Sequence, residues 1–155
     1  MSDYDVLTAA ARPYLVAVLS QLADEKIPAT GYGFVDGERL TADRAEAEAE
    51  GWIDIPTEEA VRHYGPDMAE LGVYWDSLSG WHVYGEYRTD PGKPFVDVKR
   101  WMGAGLVPEP ERVAGFIATV LVDYTMTGSA ERPFYRGQGE AVPVLAERLK
   151  HYQRP

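Results

Sequence analysis

The chain has 155 residues, 45% of them hydrophobic, and a formal net charge of −10, which predicts one ordinary globular domain able to bury its own core. It contains no cysteine, so disulfides, thiolate catalysis and cysteine-ligated zinc are excluded. Residues 1–71 hold 15 acidic and 5 basic side chains, whereas residues 72–155 hold ten of each; the excess negative charge lies in the first half, where it disfavours nucleic acid and suits either plain solvation or a basic partner.

The opening residues, MSDYDVLTAAARPYL, have neither a basic start nor an apolar run. No signal peptide is expected, nor a membrane span of roughly 18 consecutive apolar residues, and a cytoplasmic setting follows as an expectation. Residues 13–24 predict a helix opened by Pro13, with Tyr14, Leu15, Val18, Leu19 and Leu22 on one stripe. Residues 3–11 extend it, with a kink or interruption expected at Pro13. Thr30–Val35 is a short strand with Tyr32 and Phe34 on one face, and Asp36-Gly37 signals a turn. Residues 42–50, ADRAEAEAE, favour helix by propensity but carry no large apolar side chain, which predicts a solvated helix or a mobile excursion. Trp52–Ile55 reads as a strand, and Thr57 is positioned to N-cap the short helix TEEAVRHY, stopped by Gly65-Pro66.

The strongest pattern runs from Leu71 to Tyr124. LGVYWDS and WHVYGEYR alternate as two strands around the tight turn Ser77-Leu78-Ser79-Gly80. Val73 and Trp75 share one face of the first; Trp81, Val83, Gly85 and Tyr87 share one face of the second, with His82, Tyr84, Glu86 and Arg88 opposite. FVDVKRWM adds an antiparallel neighbour, with Val96, Val98 and Arg100 set against Phe95, Asp97, Lys99 and Trp101. EPERVAGFIATVLVDY follows helical spacing through Val113, Phe116, Ile117, Val120, Leu121 and Tyr124. A Gly/Pro/Arg-containing loop and a last helix, PVLAERLKHYQ, close the chain. The expected architecture is α+β: an antiparallel β-meander of four to five strands with helices on one face. Residues 1–126 would form the domain, with an acidic insertion at 36–70, and residues 127–155 a loop and helix packed on it.

Several residues recur in a known pattern: Pro13-Tyr14 with Val18 and Leu19, Trp75-Asp76, Gly80-Trp81, Glu86, and Val107-Pro108-Glu109-Pro110-Glu111-Arg112-Val113 leading into Phe116. On these the chain resembles a domain family of unknown function found in actinobacterial proteins, over roughly half its length. The acidic stretch 36–70 and the tail after residue 126 depart from that pattern. The resemblance implies a compact α+β domain in a bacterial cytoplasm and carries no catalytic residue with it. The order helix, meander, helix is also similar to small chaperone-like folds that hold partner proteins.

Candidate chemistry is sparse. His82, Glu86 and Asp97 could face one another across paired strands, the minimum for acid–base catalysis, since a carboxylate orients an imidazole and raises its pKa; a hydrogen-bonded structural histidine is the plainer reading. Tyr74, Trp75, Trp81, Tyr84 and Trp101 are the candidate ligand- or partner-binding aromatics, set against core packing. His63 and Asp67 have ligand spacing, but Gly65-Pro66 breaks the helix between them, and no metal site is expected. Lys99, Arg100, Arg88 and Lys93 form a basic group mixed with Asp90 and Asp97 that could meet an anionic ligand or simply border the sheet. Gly31-Tyr32-Gly33 lacks the rest of a phosphate loop, and Ser77 and Ser79 lack a nucleophile-elbow context. The expected function is a non-enzymatic protein-binding, adaptor or chaperone-like protein without cofactor, acting on a protein partner or as a homodimer. The alternatives are a small enzyme with acid–base residues in an aromatic pocket for an apolar or aromatic ligand, and an acidic immunity or inhibitor protein.

Overall fold

A computed structural model describes residues 2–35, 47–87 and 96–153. Within them the order is α1 (Asp3–Asp24), β1 (Gly31–Phe34), β2 (Glu50–Asp54), α2 (Thr57–Tyr64), β3 (Met68–Asp76), β4 (Gly80–Tyr87), β5 (Val96–Trp101), α3 (Pro110–Val122) and α4 (Val142–Lys150), with a short 3₁₀ turn at Tyr124–Met126. The five strands form one antiparallel sheet in the order β1-β2-β3-β4-β5. This is the expected α+β meander.

Period-two alternation sends Ile53, Leu71, Val73, Trp75, Trp81 and Val83 to the inner face, where all are buried. The buried stripes of α1, α3 and α4 complete the same core: Tyr14, Leu15 and Val18, then Val113, Ile117 and Val120, then Leu145 and Leu149. Helix α1 is one continuous element of 22 residues with Pro13 inside it, so the expected interruption does not occur. Its start is fixed by a capping box: Ser2 Oγ accepts from the Asp5 N–H at 3.1 Å, and the Asp5 carboxylate accepts from the Ser2 N–H at 3.3 Å. By length and composition alone α1 is apolar enough to cross a membrane. Its fully buried positions, Leu7, Ala11, Tyr14, Leu15, Val18 and Leu22, spend that apolarity on the core.

Two local expectations are corrected. Thr57 does not cap α2: Pro56 holds the cap position without a side-chain hydrogen bond, and Thr57 is the first helical residue. In the stretch 42–50 only residues 47–50 are described, and none of them is helical. Ala47, Glu48 and Ala49 are buried, and Glu50 begins β2 opposite Asp76. Tertiary pairing overrides the Ala/Glu helix propensity there. The Asp36-Gly37 turn, and Arg88, Asp90, Lys93 and Phe95, lie outside the described residues.

Candidate functional site

The β3–β4 turn organises one end of the molecule. Asp76 Oδ1 accepts from the N–H groups of Leu78 and Ser79, both at 2.8 Å. Gly80 closes the turn at φ +76°, and a Cβ there would stand 2.4 Å from the Gly105 carbonyl oxygen, so only glycine fits. The two flanking tryptophans point inward. Trp75 Nε1 donates to the Leu106 carbonyl at 2.8 Å, and Trp81 Nε1 donates to Tyr14 Oη at 3.0 Å. Tyr14 Oη in turn donates to the Pro108 carbonyl at 2.5 Å. Burial of Tyr14 raises its pKa well above the usual tyrosine range, outweighing the Trp81 hydrogen bond, so the hydroxyl stays a donor. Of the residues on which the family resemblance rests, Tyr14, Trp75, Trp81 and Pro108 therefore meet in one buried hydrogen-bonded hub, whereas Glu86 lies on the other face of the sheet. Trp75 and Trp81, candidates for ligand contact, are 0% and 1% exposed and belong to this core.

A second, polar hub joins the same turn to the C-terminal loop. Glu48 and Arg136 form a buried bidentate pair, with Nη1–Oε1 at 2.9 Å and Nη2–Oε2 at 2.5 Å. The remaining polarity is satisfied: Arg136 Nη1 donates to the Ser77 carbonyl and Nε to the Glu140 carbonyl, while the Gly139 N–H donates to Glu48. Burial opposes the Glu48 charge, but the hydrogen bonds from Arg136 and Gly139 outweigh it and hold the carboxyl below its usual range. Ser77 Oγ accepts from the N–H groups of Glu48 and Ala49 at 3.0 and 3.1 Å, and Ser79 Oγ accepts from Arg132 Nε at 2.8 Å. Arg100 belongs to the same fastening: its guanidinium donates to the carbonyls of Thr127 and Gly128 at 3.0 and 2.7 Å. Nothing in the local sequence pattern marks this hub, because Glu48 and Arg136 are far apart along the chain.

The outer face of the sheet carries the other candidates. Trp52, Tyr74, His82 and Trp101 stand opposite one another on successive strands. Gly33 opposes Trp52 on β1, and a Cβ at Gly33 would lie 2.5 Å from the indole, so the glycine lets this ring lie over the edge strand. His82 is stacked on Tyr74 at 5.2 Å between ring centroids and packed against Trp101 at 4.1 Å. Trp101 is itself buried, with the Arg132 guanidinium 5.3 Å and the Lys99 ammonium 5.6 Å from its ring centroid. Among the described residues, His82 Nδ1 is buried without a hydrogen-bond partner. Burial, helped by the positive charges of Lys99 and Arg132, pushes the His82 pKa down to about 3, so its ring is neutral at physiological pH.

The three proton-transfer candidates do not stand together. His82 pairs in register with Trp101, whereas Glu86 pairs with Asp97. His82 and Glu86 are four residues apart on one strand, about 13 Å at ~3.3 Å per residue. Glu86 instead accepts a hydrogen bond from Tyr84 and stands opposite Glu70. Glu50, Glu70, Tyr74, His82, Tyr84 and Glu86 line a concavity of about 370 Å³ on this face. A smaller hollow of about 150 Å³ shares Glu70 and Tyr74 and adds Trp52 and Asp54. Among the described residues, no group of three or more His, Asp or Glu is placed to hold a metal ion.

The family model described as a family of unknown function, DUF6292, matches residues 34–119. The match contains the β3–β4 hairpin and the 107–116 segment, runs through residues 36–70, and leaves out Pro13 and Tyr14. No curated protein and no solved structure matches the chain.

Proposed function

The chain belongs to the DUF6292 family, and for this member we propose a non-enzymatic binding role in which the outer face of the sheet receives a basic segment of a partner protein. One observation carries the reading: Glu70 and Glu86, with the rings of Tyr74, Tyr84 and His82, line one concavity, beside a smaller hollow that shares Glu70 and Tyr74 and adds Trp52 and Asp54. Carboxylates beside aromatic faces suit an arginine or lysine side chain, which gains charge-assisted hydrogen bonds and a ring contact at once. A proton-transfer role gains less support, since His82 is held neutral beside rings and sits four register positions from Glu86. An immunity or inhibitor protein is the special case in which the basic partner is a toxin.

The test is an amide-resolved NMR titration with an arginine-rich peptide. The expected shifts cluster at residues 70–74 and 82–86, and the Glu70→Lys/Glu86→Lys variant loses them at unchanged thermal midpoint. Shifts spread over all acidic surfaces, or unchanged in the variant, would overturn the assignment.

A further inference from the structure

Between its charged ends, the side of helix α1 that does not face the core is mostly small and apolar, with Arg12 and Ser20 its polar residues. A surface helix ordinarily turns charged residues outward, yet Ala9, Pro13, Val16 and Ala17 line a groove there, and Val16 is 41% exposed. Tyr32 of β1 and Tyr152 beyond α4 form the other walls, enclosing about 440 Å³, a volume typical of small-molecule sites. Among the described residues, Arg12 is the one charged side chain lining the groove, and no carboxylate lines it. The Arg12 guanidinium lies 5.9 Å from the centroid of the Tyr32 ring and 5.2 Å from that of Phe34, with Nη1 donating to Tyr32 Oη at 3.5 Å. Its contacts among the described residues are thus rings and a phenol, within a half-chain that holds 15 acids.

We propose that this groove binds a small carboxylic acid with an apolar body. The guanidinium fork matches a carboxylate bidentately, and its ring contacts already orient it, so little ordering remains to be done on binding. The ligand's hydrocarbon or aromatic part covers Pro13, Val16 and Ala17 and packs against Tyr152. This site lies on the helical side of the molecule, away from the outer sheet face, and does not depend on the role given to that face.

Octanoate and 3-phenylpropanoate are titrated into the full chain by calorimetry and NMR, each beside its primary amide. The expected result is saturable one-to-one binding of the acids, with shifts at residues 9–20 and Tyr32. The amides should bind about tenfold more weakly, and Arg12→Gln should weaken the acids about tenfold at unchanged thermal midpoint. Val16→Trp, which fills the groove from an exposed position, should abolish binding of acid and amide alike. Amides binding as tightly as acids, full affinity in Arg12→Gln, or no saturation in the millimolar range would each overturn the proposal. The amide comparison needs no variant, so it decides the matter even where a substitution disturbs the helix.

Discussion

The two faces of this sheet use the same residue types to opposite ends. On the inner face Trp75, Trp81 and Tyr14 are buried with every polar tip satisfied, by Leu106, Tyr14 and Pro108 respectively. On the outer face His82 lies between Tyr74 and Trp101 with Nδ1 unpaired among the described residues, next to a concavity rimmed by glutamates. A satisfied aromatic specifies the fold, since its hydrogen bonds fix one packing. An aromatic beside carboxylates at an open concavity presents a ring face and acceptors together, which is the arrangement the proposed binding role uses. Residue type alone does not separate these cases; hydrogen-bond satisfaction and burial do.

The comparison can be broken most forcefully on the inner face. Trp81→Ala should cost roughly 3–5 kcal/mol, by cavity formation together with loss of the Tyr14 partner, read from the denaturation midpoint; an unchanged midpoint would take Trp81 out of the core. Arg136→Met should cost about 3–5 kcal/mol, because it leaves Glu48 buried and unpaired. Adding Glu48→Leu to that variant should recover most of the loss, and a recovery of nothing would show that the pair is not the reason for it. Tyr14→Phe keeps the ring but strands the Pro108 carbonyl and the Trp81 N–H, for about 1–3 kcal/mol; this sharpens the claim that the hub depends on its hydrogen bonds as well as its bulk.

A pH-dependent effect belongs to the outer face. The His82 pKa falls from 6.5 to about 3 on folding, so between those values the unfolded chain binds the proton and the folded chain does not. Stability is therefore complete above pH 6.5 and declines as pH falls toward 3. His82→Phe should flatten that slope. In an NMR titration the His82 ring should stay neutral well below pH 6.5, and a midpoint near 6.5 would place it in water instead of between rings.

Much of the fold was legible in the sequence, because period-two alternation in Leu71–Tyr87 and helical spacing in Val113–Leu121 are imposed by burial itself. The turn was legible through Ser77, Ser79 and Gly80, whereas the part played by Asp76, which accepts from Leu78 and Ser79, was not. The Glu48–Arg136 hub was not, since a pair drawn from distant parts of the chain leaves no local pattern, and the Ala/Glu run around Glu48 has the composition of a solvated helix. Pro13 misled in the other direction: its missing N–H argues for a break, but Leu7 and Ala11 before it and Leu15 and Val18 after it lock one continuous helix onto the sheet. For the site, the alternation placed His82, Tyr84 and Glu86 together on one face, but register decides neighbours, and register puts Trp101, not Asp97, beside His82.

The most direct measurement is affinity capture with the tagged full chain from its native host lysate in moderate salt, run in parallel with the Glu70→Lys/Glu86→Lys variant, followed by mass spectrometry. The account predicts a stoichiometric partner with a basic segment, retained by the native chain and lost by the variant. A partner held equally by both chains, or none held by either, would contradict the assignment of the outer face as the binding surface.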